Sequence, residues 1–243
     1  MTVVGAGSPR PRRDQASPLE GTMMDTRTVR QTSVTLPDLD DADLDEVDSL
    51  EGEHGQLRDF RYANASLREL SLSGTQLMDG RIADLTTQRA RLDDLSLHSV
   101  EFSDCDLSGL RWVDSKLSRV TFTNCRMLGA LWENVTFDDV AFERCKLDYA
   151  AFTRLRTVGS AIFADCSLRE ARFSGSDLSG VAFNECDLHL TEFDGGTYRA
   201  CDLRGNDLSG LRGVSALKKI IVDRPQLHGL AEAFAAELEI TVS

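Results

Sequence analysis

The sequence lacks both an excess of positive charge and any long hydrophobic run. Its 243 residues include 40 acidic and 27 basic side chains, a net charge of -13. This balance argues against a protein that wraps nucleic acid with a basic surface. No segment approaches the roughly 18 consecutive apolar residues of a membrane helix. Arginines follow the short apolar stretch near the start instead of preceding it, so no secretory signal is expected. We therefore expect a cytoplasmic protein that contacts neither nucleic acid nor membrane directly.

Motifs typical of enzymes are also missing. The sequence contains no P-loop, no GxGxxG after a strand, no GxSxG and no HExxH. No nucleophile or carboxylate can be paired by sequence with any of the four histidines, His54, His98, His189 and His228. We predict a protein that is not an enzyme, with no catalytic residue, cofactor or metal.

A large apolar residue returns at every fifth position over most of the chain. The first series runs from Tyr62 to Phe152, and only Thr87 breaks it. One extra residue enters between Phe152 and Val158, and a second series then runs to Leu208. A period of five fits neither a helix at 3.6 nor a strand at 2.0. It indicates short extended pairs that point two alternate residues inward, followed by corners of Gly, Asp, Asn and Ser.

These repeats resemble those of a known protein family. The units that are similar to the A(D/N)LXX motif of pentapeptide-repeat proteins include Ala63-Asn-Ala-Ser-Leu67, Cys105-Asp-Leu107-Ser-Gly and Cys201-Asp-Leu203-Arg-Gly. The resemblance covers about residues 58–212. It implies an all-β solenoid, namely a right-handed quadrilateral β-helix with four pentapeptides, and therefore 20 residues, in each coil.

Positions 20 residues apart share a residue type, and this supports the same coil length from the sequence alone. If 20 residues complete one turn, such positions stack and fill the axis with side chains. The extra residue accounts for the single step of 21. The predicted core columns are Phe102, Phe122, Phe142, Phe163 and Phe183; Trp112, Trp132, Phe152, Phe173 and Phe193; and Cys105, Cys125, Cys145, Cys166 and Cys186.

All six cysteines occupy a smaller inward position, two residues before a repeat centre, and none forms CxxC. A buried cysteine behaves as a small hydrophobic residue. Stacked Cα atoms roughly 4.8 Å apart lie within disulfide range. Parallel side chains in a reducing compartment nevertheless disfavour that bond, and a single file does not provide tetrahedral zinc ligands. We predict a structural column of free thiols.

The N-terminal part of the chain lacks the regular period. Residues 1–37 are rich in Ser, Thr, Gly and Arg and are predicted to be a disordered segment. Residues 38–57 contain a run of nine acids without a base. They are predicted to be an acidic lead-in or an imperfect first coil, because Leu39 and Leu44 lie five positions apart.

The C-terminal residues 213–243 are predicted to cap the solenoid with a helix over about 225–238. Asp223 is the expected N-cap, and Pro225 falls in the first turn. A solenoid must cover its open end, so capping is one role for this helix. Pairing of two copies through the same face is the other, and that face comprises Leu227, Leu230, Phe234 and Leu238.

A filled solenoid offers only its exterior, so we first consider a protein-interaction module or scaffold. Exposed apolar clusters can mark partner sites. Leu128, Leu131 and Tyr149 are predicted to lie near one another on the outside. A second outward line comprises Ala141, Ile162 and Ala182.

The alternative function is mimicry of DNA. The best-known relatives mimic duplex DNA and bind a type II topoisomerase such as DNA gyrase, protecting it from fluoroquinolones. The resemblance therefore implies such a partner and a role in antibiotic resistance. Residues 58–212 contain 24 acids and 19 bases, so mimicry requires the acids to concentrate on one side. One predicted acidic cluster comprises Asp93, Asp94, Asp114 and Glu133; a second column comprises Asp84, Asp104, Asp165 and Glu185 and is interrupted by Arg144.

Overall fold

The computed structural model describes residues 25–241, most of which wind into a right-handed parallel β-solenoid. Each coil has four faces. In a central coil the first, second, third and fourth faces are centred on Leu117, Phe122, Met127 and Trp132, all of them buried. The predicted fold class is confirmed.

The strands in the described part of the chain are short, and one α-helix follows them. The strands are β1 (Thr26–Val29), β2 (Thr32–Thr35), β3 (Asp45–Glu46), β4 (Gln56–Ala63), β5 (Ser66–Leu67), β6 (Leu70–Ser73), β7 (Gln76–Ala83), β8 (Thr86–Thr87), β9 (Ala90–Asp93), β10 (Ser96–Ser103), β11 (Arg111–Val113), β12 (Lys116–Thr123), β13 (Leu131–Glu133), β14 (Thr136–Glu143), β15 (Ala151–Thr153), β16 (Arg156–Thr157), β17 (Ala161–Ala164), β18 (Arg172–Ser174), β19 (Ala182–Asn184) and β20 (Glu192–Asp194). Two 3-10 turns, Val214–Ala216 and Arg224–Gln226, precede helix α1 (Leu227–Glu237).

Parallel pairing between successive coils builds the walls. One sheet, in the order β19-β17-β14-β12-β10-β7-β4-β3, covers the first and second faces. A second, in the order β20-β18-β15-β13-β11-β9-β6, forms the fourth face with one strand from each coil. The third face is held by β5 and β8 and by isolated bridges such as Asp106 to Arg126. The residues in register are 20 apart, as in Phe102 opposite Phe122.

The extra residue lies later in the sequence than predicted. Thr157 still pairs with Phe137, a step of 20, whereas Ala161 pairs with Val140, a step of 21. Val158, predicted to be an inward repeat centre, is 61% exposed, so that prediction was wrong. The register depends on backbone pairing, which keeps Thr157 at the centre and pushes the extra residue into the following corner.

The aromatic columns fill the axis as predicted. Phe122 stacks on Phe142 with ring centroids 4.7 Å apart and planes 7° apart. Trp112 stacks on Trp132 at 4.8 Å, and the two columns meet edge to face, as where Phe122 and Trp132 lie 6.0 Å apart at 89°. Aromatic rings favour both offset stacking and edge-to-face contact, so one lattice satisfies both preferences.

The prediction that residues 1–37 are disordered was wrong for its described part, and residues 1–24 lie outside the described residues. Strands β1 and β2 pair antiparallel as a hairpin that lies on the outside of the second face. Val29 and Val34 are buried there. Composition had suggested disorder because the segment is small and polar, but the solenoid supplies an apolar surface for these two valines.

The acidic segment 38–57 adds to the start of the solenoid. Strand β3 pairs in parallel with β4, with Asp45 opposite Phe60. Leu50 is buried against the first coils, while Leu39 and Leu44 are only half-buried. The segment therefore covers the N-terminal end of the core without the regular five-residue period.

Helix α1 lies at the C-terminal end, where Ala233 is buried and Leu230 half-buried against the core. Asp223 and Gln226 form a capping box ahead of it. Much of the predicted apolar face remains open, because Leu227, Phe234 and Leu238 are 55%, 38% and 65% exposed.

Replacing Phe142 with alanine is expected to lower the free energy of unfolding by about 3–5 kcal/mol, because a fully buried ring leaves a cavity between two stacked neighbours. Asp138→Ala is the control: its carboxylate accepts one hydrogen bond, from Ser118 Oγ at 3.2 Å, and its loss should cost about 0.5 kcal/mol or less. Urea unfolding monitored by circular dichroism measures both. Equal losses would contradict the assignment of inward and outward positions.

Candidate interaction surfaces

Backbone conformation explains why acids collect at the corners. Two positions after each centre the chain turns with a positive φ. On the corner between the fourth and first faces this holds for Asp94 at 54°, Asp114 at 50°, Asn134 at 54° and Arg154 at 53°. Asp and Asn tolerate this conformation best among residues with side chains, because their short polar groups bond locally. A column of carboxylates at a corner is therefore favoured by the fold before any function acts on it.

The four acids predicted to cluster at this corner, Asp93, Asp94, Asp114 and Glu133, are named here the acidic corner. Asp114 accepts a hydrogen bond from Asn134 Nδ2 at 2.8 Å, and Asn134 Oδ1 accepts one from Arg154 Nε at 2.6 Å. Arg154 also pairs with Glu133 at 2.6 Å. The column is thus linked through successive coils by side chains of alternating character.

A second arginine binds the same group of acids. Arg111 lies 3.3 Å from a carboxylate oxygen of Asp93 and 3.8 Å from one of Glu133. Two guanidinium groups therefore offset part of the charge of the four carboxylates. Asp94 and Asp114 are exposed and face an open groove of about 460 Å³, which Lys116 also lines. The sequence placed the acids correctly on one corner but did not reveal their arginine partners.

The second acidic column lies at the corner between the second and third faces. Asn124 Nδ2 donates to Asp104 at 3.2 Å, and Arg144 Nε donates to Asn124 Oδ1 at 2.8 Å. Asp165 follows in the same column, also with a positive φ. Each corner thus repeats the order acid, amide, arginine, and neither carries an uninterrupted run of negative charge.

The residues Leu128, Leu131 and Tyr149, here the apolar corner, share the corner between the third and fourth faces. Leu131 is 48% exposed and Tyr149 62% exposed, while Leu128 is half-buried. Leu131 begins β13, which pairs with β15 of the next coil immediately after Tyr149. The structure therefore brings these three predicted residues to one exposed edge within two coils.

The second apolar line, Ala141, Ile162 and Ala182, is named here the outer stripe. Its residues point outward from the second face, as predicted, yet all three are buried. The N-terminal hairpin, β1 with β2, covers them through Val29 and Val34. The expectation of an exposed cluster was therefore wrong. The alternation of β-branched residues in Thr26–Val29 and Thr32–Thr35 was the signal that could have revealed the hairpin.

The cysteine column is structural, as predicted, and all six thiols are free and buried. Each thiol of the stacked set donates to a carbonyl oxygen of the preceding coil; Cys145, for example, donates to Phe122 O at 3.3 Å. Burial raises the pKa of Cys166 and of Cys201 above the ordinary value, so those thiols stay protonated near neutral pH. A protonated, enclosed thiol is a poor nucleophile and a poor metal ligand.

Within residues 25–241, no group of three or more His, Cys, Asp or Glu side chains could hold a metal ion. His98 is half-buried; burial and the nearby charge of Arg119 lower its pKa. The same described residues include no helix long and apolar enough to cross a membrane. The surface features that remain for function are the two charged corners, the apolar corner, the hairpin and the open face of α1.

Comparison with protein families agrees with this repeat geometry. A model described as "Pentapeptide repeat region" matches residues 88–152, and a second, "Pentapeptide repeats (8 copies)", matches residues 160–197. Both ranges lie within the coils. The chain is a pentapeptide-repeat protein. The join between the two ranges contains the extra residue that shifts the register of this pentapeptide-repeat solenoid from 20 to 21.

Several solved structures are similar to this pentapeptide-repeat protein at low identity. Two trypsin-treated forms of QnrB1, a plasmid-mediated fluoroquinolone resistance protein, are 21% and 22% identical. Each alignment covers 77% of this chain and 91% or 89% of the other, with TM-scores of 0.37 and 0.41. HetL from the cyanobacterium Nostoc, involved in heterocyst differentiation regulation, is 20% identical over 69% of this chain and 86% of its own, with a TM-score of 0.26. No curated protein matches the chain.

Proposed function

We propose that this protein is a non-enzymatic, cytoplasmic scaffold that binds another protein through the apolar corner. The observation that carries the proposal is the exposure of Leu131 and Tyr149 side by side on one edge, at 48% and 62%. Tyrosine is enriched at protein interfaces because its ring is large and apolar and its hydroxyl remains able to bond. A leucine beside it adds apolar area that a partner would remove from water.

The rigidity of this edge supports the same role. Leu131 N donates to Leu110 O at 2.7 Å, and Ala151 N donates to Ala130 O at 2.9 Å, so both coils hold the edge by main-chain bonds. Tyr149 N donates to Arg169 O at 2.9 Å in the next coil. A surface fixed in this way loses little conformational entropy on binding, and that entropy is a main cost of association.

Leu131→Asp is expected to weaken partner binding at least tenfold, because a buried carboxylate without a counter-ion replaces apolar contact. The measurement is quantitative affinity capture from native lysate with the wild type and the variant, followed by titration of the captured protein. Val158→Asp is the matched control, since Val158 is also exposed, at 61%, but lies on another corner. If both variants bind alike, the apolar corner is not the interface.

Mimicry of DNA toward DNA gyrase is the second candidate. It is favoured by Asp94 and Asp114, which both face the open groove along one corner. The counter-argument is the balance of the coils, which carry 24 acids and 19 bases over residues 58–212. The pairing of Arg111 and Arg154 with the acidic corner reduces its field further.

A DNA mimic should inhibit gyrase supercoiling at low salt and lose that effect steeply as salt rises, because screening shortens the range of its charges. Asp94→Asn combined with Asp114→Asn should then weaken inhibition, since two exposed charges are removed while the corner conformation is kept. A supercoiling assay across a salt series measures both effects. Absence of inhibition or fluoroquinolone protection at micromolar protein would exclude this function.

We further propose that two copies pair through helix α1. The exposed side chains of Leu227, Phe234 and Leu238 support this, because an open apolar helix face seldom remains uncovered. Sedimentation equilibrium of the wild type is expected to show a dimer and that of Phe234→Asp a monomer. A wild type that stays monomeric over a wide concentration range would leave α1 with the capping role alone.

A further inference from the structure

The N-terminal hairpin is attached to the solenoid by side chains alone. Within the described residues, its main-chain hydrogen bonds join β1 to β2, with one more from Leu36 N to Asp25 O at 2.9 Å. No main-chain bond in that part of the protein links it to a coil. A solitary two-stranded hairpin is marginally stable in water, so the surface beneath this one contributes to its folding.

The surface beneath it is encoded in one outward column of the second face. From coil to coil this column reads Arg61, Arg81, Glu101, Thr121, Ala141, Ile162, Ala182 and Asp202. Polar residues, the usual occupants of an outward strand position, are replaced by the outer stripe only in the three coils under the hairpin. The apolar residues therefore form a seat of defined length with a charged residue at its far end.

Charge and hydrogen bonding fit the hairpin to that seat. Arg27 Nε lies 2.9 Å from Glu143 Oε1, and Arg30 lies 3.9 Å from the buried carboxylate of Asp202. Thr32 Oγ1 donates to Gly180 O at 3.0 Å. Between these polar contacts, Val29 and Val34 pack on the stripe. The seat thus selects two β-branched side chains flanked by arginines.

The seat does not depend on the hairpin for its own shape. Strands β14, β17 and β19 pair in continuous register beneath it, and their inward residues Phe142, Phe163 and Phe183 lie in the central stack. The backbone that carries the stripe is therefore fixed from inside. Release of the hairpin would expose a preformed apolar surface instead of unfolding it.

We propose that the outer stripe is a protein-binding site for a basic β-hairpin or paired strand of a partner, with two β-branched side chains between arginines, and that the chain's own hairpin occupies it in cis. A partner must displace the hairpin to bind. The cis hairpin is tethered through residues 36–44, which keeps its effective concentration in the millimolar range. Binding in trans is therefore suppressed until the hairpin is released. This site is separate from the apolar corner and does not rest on it.

The test uses a fluorescent peptide of residues 25–37 and the full chain. Val29→Asp with Val34→Asp releases the hairpin, because two carboxylates cannot be buried on the stripe. Fluorescence anisotropy is expected to show that this variant binds the peptide at least about tenfold more tightly than the wild type does. Adding Ile162→Asp should abolish binding. Circular dichroism of each variant checks that the coils remain folded.

A second release variant keeps the proposal testable if the first fails to fold. Arg27→Glu with Arg30→Glu places acids opposite Glu143 and Asp202 and leaves the apolar residues intact. It should also bind the wild-type peptide, and a peptide with the same two changes should bind neither variant. Equal binding to wild type and released chains, no binding to a folded released chain, or binding unaffected by Ile162→Asp would each overturn the proposal.

Discussion

Exact stacking of one 20-residue coil on the next is the constraint on which the rest of this molecule depends. Parallel pairing fixes each residue above its equivalent, so an inward Phe122 must be followed by a residue that can stack on it, as Phe142 does at 4.7 Å. The period of five follows from this demand, because four faces share one turn. Inward positions are filled by columns of one residue type, and the outside alone is free to vary.

Much of this fold could be predicted, because the repeating inward positions are read directly from spacing. The aromatic columns and the buried thiols were predicted residue by residue. The position of the extra residue was not: Val158 is as apolar as Thr157 is polar, and hydrophobicity favoured the wrong one of the two as the centre. Main-chain pairing decided for Thr157, which a side-chain pattern does not record. The hairpin was missed for a similar reason, since its stability comes from coils more than a hundred residues away.

The candidate surfaces divide in the same manner. Spacing predicted that Asp94 and Asp114 share a corner and that Leu131 and Tyr149 share another, because a column is a matter of counting. It did not predict that Arg111 and Arg154 bind the acidic corner, since contacts of long side chains depend on rotamers and on neighbouring columns. Nor did it show that positive φ values alone favour acids at corners. Charge at a corner is therefore weaker support for function than exposed apolar area.

The hairpin also constrains the order in which the chain can be completed during synthesis. Thr32 bonds to Gly180, 148 residues later, so the first ordered segment to leave the ribosome must wait for nearly the last coil. At about 5–20 residues per second this interval is roughly 7–30 s. During that time the two valines have no surface to cover them, and the coils grow in the N-to-C direction without their outer brace. Docking of the hairpin is then a late event that marks a finished solenoid.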